Sequence, residues 1–196
     1  MQIRSLAIAL TLAASVASAQ PPPARVRGVI QALEGQTLVV ATPNDDVVRL
    51  VLTDMTGING LEKRSMADIT DNTFIGTTAV KDRNGRWEAT EVHIFPEAMR
   101  GAGEGHYAWD LPDSTMTNGA ATGVASKGRG GTLSVRYAGG TVEVDVTRRT
   151  EIVALTMGTR ALLVPGATVM ALAVPGDGGA MAVAIIAETN GVKPPM

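Results

Sequence analysis

The chain has 196 residues, 45% of them hydrophobic and only 3% aromatic, with a formal charge of −2 and no cysteine. The slight acidic excess and the lack of a basic stripe argue against a nucleic-acid partner, and the lack of cysteine excludes both disulfide stapling and a lipidated N-terminal cysteine. A chain of this length can bury enough surface for one domain or two small ones without covalent help.

The chain starts MQIRSLAIALTLAASVASAQ, with Arg4 ahead of an apolar run from Leu6 to Val16 and the small residues Ala17-Ser18-Ala19. A cation, a short apolar run and a small-residue site form the pattern of a secretory signal peptide, here residues 1–19. The run is shorter than the roughly 20 apolar residues a bilayer span needs. The expectation is an exported protein, periplasmic or secreted, without a membrane span. Removing 19 of 196 residues leaves 177, and with Arg4 gone the formal charge becomes −3.

Beyond the signal lies an internal repeat. RGVIQALEGQTLVV from Arg27 aligns with TGVASKGRGGTLSV from Thr122, matching Gly28 with Gly123, Gly35 with Gly130 and Thr37-Leu38 with Thr132-Leu133 at an offset of 95. ITDNTFIGTTAV from Ile69 aligns with LVPGATVMALAV from Leu163 at an offset of 94, and Gly85 matches Gly179 at the same offset. A near-constant offset over this length marks two copies, 25–95 and 121–189.

Each copy reads as short strands. In the first, RVRGVIQAL and QTLVVAT flank Glu34-Gly35 as a hairpin, and DVVRLVL follows, rich in β-branched residues. An irregular crossing over 54–68 holds one short helical turn. TFIGTTAVKD and RWEATEVHIF then form a second hairpin across Asn84-Gly85. The second copy gives TGVASK, GTLSVRY and GTVEVDV, a crossing over 148–162, then TVMALAV and AMAVAIIAE joined through Gly176-Asp177-Gly178-Gly179. In TVEVDV, the alternation of valine with Glu143 and Asp145 marks a half-buried strand. Short antiparallel strands must not leave broad edges open, so each copy is expected to close into a barrel. Three strands, a crossing and two strands is the order of an OB-like barrel, with an SH3-like barrel as the alternative. The predicted fold is therefore all-β: two tandem small OB-like barrels, a connector over 96–120 that is ordered and rich in aromatic residues and glycine, and an unpaired tail over 190–196.

The connector concentrates the unusual chemistry. Trp87, Phe95, Tyr107 and Trp109 make up four of the six aromatic residues, and both histidines, His93 and His106, lie in the same region. Rings beside the glycine-rich RGAGEGHYAWD suggest a pinned loop. In EVHIF, Val92 and Ile94 share one face, so His93 points the other way with Glu91 and Phe95, beneath the connector. His93 and His106 with Glu97, Glu104 and Asp110 are a candidate ligand set for zinc or copper, although no HxH, HxxxH or HExxH spacing fixes their geometry. Phe95, Arg100, Tyr107 and Trp109 are the candidate ligand or partner surface. No GxSxG elbow and no phosphate-binding loop is present, and Ser114, in PDSTM, reads as a turn residue.

The stretch VHIFPEAMRGAGEGHYAWDLPDSTMTN, preceded by RVRGVI…GQTLVV and followed at the end by NGVKPPM, resembles a family of bacterial exported proteins of unknown function, some of which carry the label metal transporter permease. The resemblance implies tandem small β-barrels and covers essentially the mature chain. His93, Glu97, Arg100, Glu104, His106, Trp109 and Asp110 match its connector pattern, and it implies no catalytic residues. A permease needs several membrane spans, and none is legible here. The second copy has IIAE where the first has VHIF, so it lacks a counterpart to His93. The functional expectation is a non-enzymatic periplasmic binding or accessory module acting through the connector. The alternative is a structural or interaction module that meets an envelope protein.

Overall fold

The computed structural model describes residues 23–194 apart from 128, 129 and 177, with 126 and 127 described by backbone alone. The signal peptide expected at 1–19 and the last two residues lie outside this range. The protein is all-β, with five-stranded barrel closure and additional strands. In chain order the strands are β1 (Ala24–Glu34), β2 (Thr37–Ala41), β3 (Val47–Val51), β4 (Gly57–Lys63), β5 (Phe74–Lys81), β6 (Trp87–Ile94), β7 (Gly105–Ala108), β8 (Ser114–Lys127), β9 (Gly130–Tyr137), β10 (Gly140–Val146), β11 (Glu151–Met157), β12 (Thr168–Gly176) and β13 (Gly179–Ala187). Short 3₁₀ turns occupy Met66–Asp68, Glu97–Met99 and Arg160–Leu162. Among the described residues no helix is long and apolar enough to cross a membrane.

The expected hairpins form where the turn residues call for them. Gly85 adopts φ 78° between β5 and β6, a conformation that disfavours side chains with a Cβ. Asp82 Oδ1 accepts the amide protons of Asn84 and Arg86 at 2.8 and 2.9 Å to close that turn. Each crossing, however, carries a strand as well as a 3₁₀ turn. The repeat extends through these elements: β4 and β11 lie 94 residues apart at both ends, and so do the 3₁₀ turns that follow them.

Strand pairing does not follow the copy boundaries. β1 pairs with β2, β2 with β3, β3 with β13, β13 with β12, and β12 returns to β1. A second circuit runs β8, β9, β10, β6, β5 and back to β8. Within each circuit every pairing is antiparallel except one, β3 with β13 and β10 with β6. Each circuit therefore takes three strands from one copy and two from the other. This corrects the expectation that 25–95 and 121–189 each close on themselves. The physical reason lies in the crossings. β4 leaves the first circuit to run parallel to β13 and antiparallel to β11, and β11 runs parallel to β6. The chain is thus carried across to the other circuit instead of folding back.

Among the described residues three apolar clusters result. Ile30, Leu38, Leu50, Val169 and Ile185 belong to the core of the first circuit, and Ile75, Val92, Leu133, Val135 and Val144 to that of the second. The third cluster, Leu61, Val153, Leu155, Met170 and Ile186, welds the two together. Burying each such side chain contributes about 1.5–3 kcal/mol. Leu61 pairs directly with Leu155 across β4 and β11. These residues are 94 apart, so equivalent positions of the two copies meet on a local two-fold axis.

The C-terminal segment also departs from expectation. Thr189 and Val192 exchange backbone hydrogen bonds at 2.9 and 3.0 Å, Val192 packs on the third cluster, and Pro194 is buried. Because each circuit needs strands of both copies, a fragment of residues 23–95 should show no cooperative unfolding as a monomer, by circular dichroism and size-exclusion chromatography. Mixing it with a 96–194 fragment should restore a cooperative transition. A monomeric 23–95 fragment that unfolds cooperatively would contradict the exchanged pairing.

Candidate functional site

β6 supplies the first wall of the site. Its alternation sends Val92 into the core of the second circuit and leaves Glu91 and His93 on the opposite face, each 6% exposed. Phe95 continues this face, its ring edge-on to the His93 imidazole with centroids 6.5 Å apart, as the sequence pattern requires. His93 lies opposite Gly76 of β5, and Gly76 lies opposite Asn118 of β8. A Cβ at Gly76 would come within 2.5 Å of Asn118 Oδ1 and 2.8 Å of the Phe95 ring. Glycine at this position is what lets the Asn118 and Phe95 side chains lie across the sheet.

The connector roofs this wall. Asn118 Nδ2 donates to the carbonyls of Ala102 and Gly103 at 3.3 and 3.2 Å. Two carbonyl acceptors on that side fix the amide orientation, since the reversed amide would set oxygen against oxygen. Asp110 anchors the far end: Oδ1 lies 3.0 Å from Arg25 Nη1, and Oδ2 accepts from Arg27 Nε and Nη2 at 3.1 and 2.6 Å. The Arg25 guanidinium sits 3.7 Å from the centroid of Trp109, a cation–π contact. Leu111 and Ser114 close a local turn, the Leu111 amide donating to Ser114 Oγ and that hydroxyl donating to the Leu111 carbonyl. Ser114 is thus the turn residue its sequence context suggests.

Wall and roof enclose a cavity of about 210 Å³. One side carries Glu91, His93 and Asn118; the other carries Met170, Leu172, Ala184 and Ile186 from β12 and β13. The two sides are related by the local two-fold axis. His93 lies beside Val153, and Ile186 lies beside Asn59, which is 94 residues before Val153. His93 and Ile186 thus hold equivalent places, as do Glu91 and Ala184, and the repeat builds one polar wall and one that is apolar apart from Asn59.

Among the described residues, His93 Nε2 and Asn118 Oδ1 are buried without a hydrogen-bond partner. Glu91 Oε1 is 3.7 Å from His93 Nε2, too far for a hydrogen bond, and accepts instead from the Thr78 hydroxyl at 3.0 Å. Burial holds the His93 pKa below its usual 6.5; Glu91 opposes that shift and Arg27 adds to it.

The proposed metal-ligand set is not brought together. His93 and Asn118 share a row across the sheet with Gly105, whereas His106 shares the adjacent row with Thr117, Thr77 and Val92. The two histidines therefore point to opposite faces, about three strand spacings of 4.8 Å apart, and cannot share an ion with ligand distances near 2.0–2.1 Å. His106 Nδ1 instead meets Thr117 Oγ1 at 2.8 Å, and its ring stacks on Tyr137. Glu97 is exposed and paired with Arg100, Glu104 is exposed, and Asp110 is committed to Arg25 and Arg27. No group of three or more histidine or carboxylate side chains able to hold a metal ion occurs among the described residues.

Of the candidate surface residues, Phe95, Tyr107 and Trp109 line the cavity. Arg100 does not: it donates to the Asn72 carbonyl at 2.9 Å and braces the start of the connector. Sequence reasoning missed Asn118, which reads as a connector residue but belongs to β8, and the wall from the second copy. The alignment of His93 with Ile186 was the available signal for that wall. Comparison with protein-family models, curated proteins and solved structures returns no match.

The lowered His93 pKa makes a prediction. Between the folded pKa and 6.5 the unfolded chain binds a proton at this site that the folded chain refuses, so stability falls as pH drops below about 6.5. Urea midpoints measured from pH 7.5 to 5 should decline in the wild type and decline less in His93→Gln. Equal slopes would contradict the burial of a neutral imidazole.

Proposed function

We propose that the protein is an exported, non-catalytic binding module that holds a small, mainly apolar molecule between two OB-like barrels with exchanged strands. The OB-like assignment rests on the circuit order: three consecutive strands, then the last and the penultimate strand of the other copy, with the single parallel pairing between the third and the last. Export rests on the signal-peptide pattern at 1–19, with the periplasm as the destination.

One observation carries the binding reading. His93 and Asn118, whose Nε2 and Oδ1 are buried without hydrogen-bond partners among the described residues, both line the same mostly apolar cavity. Leaving a buried polar group unsatisfied costs about 1–3 kcal/mol, and cavities that stay empty are apolar. An occupant with a polar head and an apolar body removes that cost. The volume suits a small molecule: a cavity of about 150 Å³ accepts benzene, whereas drug-sized sites span roughly 300–1,000 Å³. Among the described residues the cavity lining includes no serine, threonine or cysteine to serve as a nucleophile beside His93, which favours binding over hydrolysis.

The second reading, a module that meets an envelope protein, draws on the open groove bordered by Lys81, Trp87, His106 and Trp109. Ligand-observed NMR with small monocyclic and short-chain compounds separates the two. The wild type should bind several of them, and Ala184→Phe, which fills the cavity from its apolar side, should bind none while keeping a cooperative thermal transition. Equal binding by both proteins, or none by the wild type, would overturn the cavity reading.

A further inference from the structure

The polar wall is rich in acceptors. Asn118 Oδ1 can only accept, and its amide nitrogen is committed to the connector carbonyls. Glu91 brings a carboxylate buried to 6% exposure, and among the described residues its Oε1 accepts from a neutral hydroxyl, that of Thr78. A carboxylate in an apolar enclosure calls for a positive partner. The neighbouring imidazole is a poor one, since burial disfavours its charged form, and the Arg27 guanidinium makes two hydrogen bonds to Asp110. Phe95 and Tyr107 flank the same end of the cavity, and the faces of such rings attract cations. Opposite them, Leu172, Ala184 and Ile186 offer hydrocarbon, with the Asn59 amide beside Ile186.

We propose that the cavity selects a compact apolar amine, its ammonium group donating to Glu91 and Asn118 and its hydrocarbon body lying against the wall from the second copy. The proposal rests on the binding reading above and names the ligand class for it. An alcohol of the same shape satisfies Asn118 and leaves the Glu91 charge uncompensated. A carboxylic acid sets a second anion against Glu91. His93 Nε2 sits beside the head group and accepts a hydrogen bond from it. The asymmetry between the copies supports this polarity: Glu91 and His93 stand where the repeat has Ala184 and Ile186, so head and tail of a bound molecule have distinct places.

The test is isothermal calorimetry on the mature full-length chain at pH 7.5 with three probes of one shape: phenethylamine, phenethyl alcohol and hydrocinnamate. The amine should bind at least about tenfold more tightly than the alcohol, and the acid should not bind. In Glu91→Gln the amine should lose at least about tenfold in affinity while the alcohol is little changed. Should that variant fail to fold, the wild-type ranking of the three probes decides alone. Alcohol or acid binding as tightly as the amine overturns the proposal, as does an unchanged amine affinity in a folded Glu91→Gln. If none of the three binds but other small compounds enter the cavity by NMR, the amine assignment falls and the binding reading stands. If nothing enters, both fall.

Discussion

The structure depends on one constraint: three strands of either copy cannot close without two strands of the other. β3 ends the run of hairpin-connected strands and would present an open edge. That edge is satisfied by the parallel partner β13, and the corresponding edge of β10 by β6. Unpaired strand edges are costly when buried and adhesive when exposed, so closure by exchange removes two such edges at once. It also forces each crossing to travel between circuits, and this places β4 against β11 with Leu61 facing Leu155.

The seam made in this way is where a site can arise. Two barrels merely strung on a linker would share little surface. Here β12 and β13 complete the first circuit while sending Met170 and Ile186 toward the outer faces of β5 and β6, where Glu91 and His93 stand. A two-fold arrangement would give the cavity like walls. Because the copies differ in sequence, one wall is mainly aliphatic and the other polar. The connector then roofs the seam, held by Asn118 at one end and by the Asp110 pair with Arg25 and Arg27 at the other. Arg25 and Arg27 belong to β1 and Asn118 to β8, so the roof joins one circuit to the other.

Much of this was legible in the sequence. The repeat, the hairpins at Gly35 and Gly85, and the facing of Glu91, His93 and Phe95 away from Val92 follow from local pattern, because alternation and turn chemistry are local properties. The exchange was not legible, since the same alternation serves a strand whichever neighbour it pairs with. β4 was missed because GINGLEK breaks the strand pattern with two glycines. Gly60 is there for close approach: a Cβ would lie 2.7 Å from Thr189 Oγ1, the atom that receives the Leu61 amide proton. β11, EIVALTM, has a clear strand composition, but its counterpart GINGLEK does not, so the repeat does not reveal it. The two histidines are not brought together because closeness in sequence says nothing of which sheet face a side chain takes, and one residue of register separates the row of His106 from that of His93.

The exchanged pairing can be tested directly by cysteine cross-linking in a chain that has no cysteine of its own. Val29 of β1 pairs with Thr168 of β12, and such antiparallel partners sit about 4.5–5.5 Å apart at Cα, within the range a disulfide accepts. Were the copies to close separately, the repeat would place Phe74 in the position of Thr168. Under mild oxidation Val29→Cys/Thr168→Cys should form an intramolecular disulfide in the monomer, seen as a mobility shift on non-reducing electrophoresis, and Val29→Cys/Phe74→Cys should not. Efficient closure of the second pair with failure of the first would show that each copy folds on itself, and the shared seam with its cavity would not exist.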